Sequence, residues 1–320
     1  MKSICKISLL FAVVFAAFNF AAAQTEREKG IRLYQEGKNK EAVAVLEKAS
    51  QQAKTDAETW NALGLAYVKE DALKKAIKAF EKAISFNQQN ATYHTNLAYV
   101  YLQTGKSNKA RSECSKAIAI DPKLALAYYV RGAANLYESD NNGAMRDADK
   151  AIEVNPDFSA AYSLKADALL YQFGNRVSSG AKPIDKLDLL QQAKDVLERC
   201  LKNCRNNSQT ASQQERLDTL TVFHDYFSKN RDALLDAISS GKPVVMPVQT
   251  PPDPSVTPMK ISTKPQPRYT DKARQDGVQG TITLAVFFAE SGQITHALIL
   301  KGLGGGLNEA ALGAALRNKI

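Results

Sequence analysis

The sequence is short of the residues that do chemistry. Its only histidines are His94, His224 and His296, and no HExxH pair stands among them. Its four cysteines include no Cys-x-x-Cys-His run and no paired Cys-x-x-Cys, which leaves haem attachment and a zinc site without ligands. Gly304-Gly305-Gly306 lacks the lysine and the preceding order of a phosphate-cradling loop. The net charge of +9 is spread among interspersed acids, with no basic stripe or interleaved aromatics, so nucleic acid is not an expected partner. No nucleophile–base pair is visible. The expectation is a protein that is not an enzyme and has no catalytic residue, no metal and no cofactor.

What is present is a repeat. Ala76-Ile77-Lys78-Ala79-Phe80-Glu81-Lys82-Ala83-Ile84 returns as Ala110 to Ile118 and again as Ala144 to Ile152. Lys48, Lys82, Lys116 and Lys150 mark a period of about 34 residues. Within it, Trp60, Leu63, Gly64 and Tyr67 are followed by Ala76, Phe80 and Ala83. The next unit has His94, Leu97, Ala98 and Tyr101, then Ala110 and Ala117, closed by Pro122. The one after has Tyr128, Gly132, Ala144, Ala148, Ala151 and Pro156. Gly30, Ala42, Leu46 and Ala49 form a weaker first unit.

This pattern resembles the tetratricopeptide family, whose W-x-x-L-G-x-x-Y and A-x-x-x-F-x-x-A signatures it reproduces over roughly residues 25–240. The fold it implies is mainly α, an α-solenoid of paired helices. The repeat-packing set is Trp60, Gly64, Tyr67, Ala76, Phe80, Ala83, Leu97, Tyr101, Ala110, Ala117, Gly132, Ala144 and Ala151. Small members let helices approach and large ones fill the gaps, so stability becomes a sum over neighbours. The family's first helices line a groove. The equivalent positions here are Asn61, Leu65, Val68, Thr95, Tyr99, Leu102, Tyr129, Tyr137 and Tyr171, a surface suited to a peptide or protein ligand. The family's carboxylate-clamping Lys and Asn set is not reproduced.

After Phe158 the period breaks. A loop is expected over 173–183, a helix over 187–201, and two further helices around 212–223 and 226–239 as a degenerate cap. Cys200 and Cys204 stand four apart on one helical face, where a disulfide is possible but strained in a regular helix. Cys114 reads as a small buried residue in helix packing.

Residues 241–265 are of another kind, with Pro243, Pro247, Pro251, Pro252, Pro254, Pro258 and Pro265 and almost no apolar periodicity. They read as an extended spacer, and fully extended the stretch would reach on the order of 80 Å. Beyond it the period becomes two. Ile282, Leu284, Val286 and Phe288 alternate through one strand, Glu290 to Gln293 turns, and residues 294–301 make a second strand of a hairpin. Leu307, Ala310, Ala311 and Ala314 then mark one face of a short helix.

Pro267-Arg268-Tyr269, Ala273-Arg274, Gly277-Val278-Gln279-Gly280, the Gly292 turn and Leu307 to Leu312 together resemble the C-terminal domain of the TonB family. The resemblance implies a small α+β unit over 266–320 that pairs with a TonB-dependent outer-membrane receptor or a neighbouring chain. It also implies a third strand beginning where the sequence as given stops, so the unit as given is incomplete.

The N-terminus carries Lys2 and Lys6, an apolar run from Ile7 to Phe20, and Ala21-Ala22-Ala23 before Gln24. That is the order of a secretory signal peptide cut after Ala23, and it implies the periplasm. The alternative is an uncleaved anchor over 7–23, which would make the chain an inner-membrane energy transducer of the TonB type; that stretch lacks the family's motor-engaging histidine. N-terminal sequencing of the envelope protein separates the two. Gln24 as first residue is the expected outcome, and Met1 would establish the anchor.

Overall fold

The computed structural model describes residues 24–178, 184–204 and 207–229, and, from 270 onward, Thr270, Arg274, 277–280, 282–288, 294–301, Leu307, Ala310, Ala311 and Ala315. The signal segment 1–23, the spacer 241–265 and most of the expected helix over 226–239 lie outside the described residues. The chain divides into two units, 1–131 and 132–320.

Among the described residues of the first unit, six helices precede the boundary: α1 (residues 24–35), α2 (Asn39–Gln52), α3 (Ala57–Lys69), α4 (Leu73–Phe86), α5 (Ala91–Gln103) and α6 (Ser107–Ile120). From α2 to α6 each helix packs on the next along the chain. The helix α7 (Ala125–Tyr137) contains the division point.

Two devices set the length of each helix pair. At the start of α3 the Asp56 carboxylate accepts the Glu58 N–H at 3.3 Å, and at the start of α5 Asn90 accepts the Thr92 N–H at 3.0 Å. These satisfy donors that the first turn leaves open. Where the first helix of a pair ends, the backbone turns through the left-handed region at Gly37, Asp71, Gly105 and Ser139. The following N–H then reaches back five residues: Lys38 to Leu33, Ala72 to Tyr67 and Lys106 to Tyr101 at 2.8–2.9 Å, and Asp140 to Asn135 likewise. This is a Schellman closure, favoured by glycine. Asp71 and Ser139 adopt it at some cost.

The core sits where small residues of one helix meet large ones of its partner. A side chain at Gly64 would come within 2.5 Å of the Phe80 ring, and one at Gly30 within 2.5 Å of Leu46. The corresponding places of the next repeat hold Ala98 and Cys114, both fully buried. Ala76, Ala83, Ala110 and Ala117 are also wholly excluded from solvent.

In the second unit follow α8 (Asn141–Val154), α9 (Ser159–Ser178), α10 (Ile184–Asn203) and α11 (Asn207–Lys229), again each against the next. Gly132 faces Leu164, whose nearest atom lies 2.8 Å from where a Cβ would stand, and Ala144 and Ala151 are buried. Two expectations fail here. The loop expected from residue 173 is helix as far as Ser178, because Phe173 is fully buried and outweighs the roughly 1 kcal/mol cost of Gly174 within a helix. Residues 179–183 of that loop lie outside the described residues. Nor does the chain break between 223 and 226: α11 runs straight through, since His224-Asp225 supplies neither proline nor glycine.

Strands β1 (Thr283–Phe288) and β2 (Ile294–Lys301) pair antiparallel, with Val286 opposite Ala297 and Phe287 opposite His296. Irregularities fall between Thr283 and Leu284 and between Phe287 and Phe288. Ile294 and Leu298 are buried, as are Leu307, Ala311 and Ala315 at helical spacing of four. Within this unit β2 also lies against α9.

The Gly64–Phe80 contact leaves no room for a methyl group. Gly64→Ala is therefore expected to destabilise the array by about 1–3 kcal/mol despite the better helix propensity of alanine. Thermal unfolding followed by circular dichroism checks this, with Gly64→Ala/Phe80→Leu expected to recover part of the loss.

Candidate peptide-binding face

Asn61, Leu65 and Val68 are spaced i, i+4, i+7 on α3, and Thr95, Tyr99 and Leu102 are spaced the same way on α5, so each set shares one helical face. The structure separates them by exposure. Tyr99 is 41% exposed, one of the few large apolar side chains so open to solvent. Asn61, Leu65, Val68, Leu102 and Tyr129 are half-buried. Thr95 is a correction: it is fully buried and its hydroxyl donates to the Ala91 carbonyl at 2.9 Å, as β-branched threonine does inside a helix, so it offers a ligand nothing. Tyr137 and Tyr171, both half-buried, belong to the second unit.

One residue of this face escaped sequence reasoning. The Asn96 amide donates to the Asn61 carbonyl at 2.9 Å. The bond uses one donor and one acceptor, and each amide keeps a second polar group beyond it. The two stand 35 apart, one off the repeat period, so aligned repeats do not put them in the same column. Half-buried amides, with Leu65 one turn on from Asn61 and the open Tyr99 one turn on from Asn96, combine apolar area with groups able to bond a peptide backbone.

The aromatic residues of the packing set behave in two ways. Phe80 is sealed, whereas Trp60 is only half-buried: its indole N–H donates to the Lys54 carbonyl at 2.8 Å and the Lys82 ammonium lies 4.1 Å from the ring centroid. Tyr67 and Tyr101 are buried rings with anchored hydroxyls. Tyr67 donates to Glu47 at 2.5 Å and Tyr101 to Glu81 at 3.0 Å, each reaching the second helix of the preceding repeat. Lys75 and Lys109 stand over these rings at 5.3 and 5.5 Å. Burial, and then the carboxylate at the hydroxyl, pushes the Tyr101 phenol up to about 12 and raises that of Tyr67 as well. Both are neutral donors at any physiological pH.

His94 fills the place that Trp60 holds one repeat earlier. It is 5% exposed, with Nδ1 at 2.7 Å from a Glu113 carboxylate oxygen and Nε2 at 3.0 Å from the Gln88 carbonyl. Each ring nitrogen thus has a polar partner in the protein. Glu113 also accepts from Lys116 at 2.7 Å. Burial pushes the Glu113 carboxyl up, but the bonds from Lys116 and His94 outweigh it and hold the group below its ordinary value. The pair is structural, as its position in the repeat implies. The side chain of His296 lies outside the described residues.

The family profiles of the tetratricopeptide repeat match residues 30–71, 67–105 and 91–124. The chain carries tetratricopeptide repeats. The profile of the Gram-negative bacterial TonB protein C-terminal matches residues 265–320, so a TonB C-terminal domain follows them. Among solved structures, pilF of Pseudomonas aeruginosa is 18% identical, with a TM-score of 0.51 over 68% of this chain and 92% of that one; this likeness shows the fold. The Arabidopsis OM64 tetratricopeptide domain is 29% identical over 35% of this chain and 93% of its own (TM-score 0.35). MamA from Desulfovibrio magneticus is 18% identical over 55% and 94% (TM-score 0.47). No curated protein matches the sequence. The tetratricopeptide array is a protein-interaction scaffold, a fold that points away from enzymes. Among the described residues no helix is long and apolar enough to cross a membrane, and no cluster of side chains is arranged for a metal.

Because the Glu113 carboxyl is depressed in the folded state, the stability it contributes is present above the ordinary carboxylate range and lost as pH falls through the lowered value. Glu113→Gln is thus expected to unfold at lower temperature than the natural protein near neutrality, with the gap closing at acid pH. Melting temperatures of both proteins across a pH series read this directly; a gap independent of pH would contradict it.

Proposed function

We propose that the chain is a non-catalytic adaptor of the bacterial cell envelope with two binding ends. The array takes a peptide or protein segment on the first-helix face, and the TonB C-terminal domain meets an outer-membrane receptor or a neighbouring chain. The observation that carries the first half is the exposed Tyr99 ring on the same helical face of α5 as Leu102, with the Asn61–Asn96 amide bond joining α3 to α5. Tyrosine presents a large rigid surface at low entropic cost, and paired amides suit the donors and acceptors of an extended backbone. The domain over 265–320 supports the envelope assignment, and the basic, apolar and small-residue order of 1–23 supports export with cleavage after Ala23. The proline-rich residues 241–265 then act as the tether between the ends.

The TonB C-terminal domain also favours a second reading, an energy transducer anchored by residues 7–23. It differs in keeping the N-terminal segment attached.

A peptide-display selection on the full-length protein tests the groove. Selected peptides are expected to lose at least about tenfold in affinity for Tyr99→Ala/Tyr129→Ala, since aromatic anchors typically carry about 1–2 kcal/mol or more each. Far-UV circular dichroism should be unchanged. Helix content lost along with binding would assign these rings to the core.

A further inference from the structure

Helix α10 ends in a pair of thiols. Cys200 lies in its last turn, and Cys204 immediately follows its final residue, Asn203. Both are buried, and their Sγ atoms are 2.8 Å apart. That is inside ordinary non-bonded sulfur contact and within about 1 Å of a disulfide bond length.

Packing on α9 holds this turn. Asn203 donates to the Tyr162 hydroxyl at 3.1 Å, and that hydroxyl donates to the Pro156 carbonyl at 3.1 Å. Arg199 stands 5.4 Å from the Tyr162 ring centroid. The Cys204 N–H still donates to the Cys200 carbonyl at 2.7 Å. Cys204 itself is no longer helical, which gives the second sulfur a freedom that a mid-helix position lacks.

We propose that Cys200 and Cys204 are a disulfide-forming site, closed by exchange with a small-molecule disulfide or an oxidised dithiol oxidoreductase. One thiolate displaces half of the oxidant disulfide, leaving a mixed disulfide. The second thiolate displaces the other half. The Sγ–Sγ bond forms, the oxidant S–S bond breaks and receives two electrons, and the two cysteine protons end on the two released thiols. Burial, and next the hydrogen bond shared with Cys204, pushes the Cys200 thiol up to about 12 in the folded chain. Exchange therefore belongs to folding, before α10 is packed, and the finished bond is shielded afterwards.

The test refolds the reduced full-length protein in mixed reduced and oxidised glutathione, with helix content followed by circular dichroism. Acid quenching, unfolding, alkylation with N-ethylmaleimide and cleavage at glutamate then release both cysteines on one peptide between Glu198 and Glu215. In the refolded protein that peptide should lack two hydrogens and carry no maleimide, while Cys114, buried in the structure, is alkylated. Dithiothreitol before alkylation should restore two maleimides. Two maleimides without reduction, a glutathione adduct on either cysteine, or a bond from either to Cys114 would overturn the proposal.

Discussion

The array rests on close approach of helix backbones, and that approach depends on the absence of side-chain atoms at a few positions. Phe80 lies where a Cβ on Gly64 would stand, and Leu46 does the same at Gly30. In the next repeat Ala98 and Cys114 share the space more evenly. What recurs from repeat to repeat is therefore a small residue on the first helix facing its partner, and not the identity of either member. Every other feature follows from the spacing this imposes: where the Schellman turn closes, which ring reaches back to the preceding repeat, and which face of the first helix is left without a partner.

Polar contacts ride on the same period. Tyr67 with Glu47 and Lys75 recurs as Tyr101 with Glu81 and Lys109. A neutral phenol with a raised titration point is a dependable donor, so these bonds join successive repeats without burying a net charge. His94 and Glu113 show the alternative, an imidazole bonded to a carboxylate in the place where another repeat uses an indole. Such neighbour-to-neighbour joints are what a quasi-one-dimensional protein requires.

The period and its small residues made the helix pairs legible from sequence, as did the alternation from Ile282 to Phe288 that became β1. Helix ends in the second unit were harder to read. Gly174 suggested a break, but burial of Phe173 overrides a local propensity of about 1 kcal/mol. The two helices inferred around His224 were one, because an amphipathic pattern that weakens without glycine or proline marks a change of exposed face and not an end. The candidate face was half legible: family positions locate Tyr99, but Thr95 turns inward to its own backbone and Asn96 stands one residue outside the column. Those outcomes depend on rotamers and cross-helix distances, which spacing alone does not carry.

We propose that the first-helix face around Tyr99 receives the ligand. A photo-crosslinking amino acid placed at position 99 of the full-length protein, and separately at the exposed Lys78 on α4, tests it directly in cells. A discrete adduct from position 99 and none from position 78 is the predicted result. Equal adducts from both, or one from position 78 alone, would contradict the account.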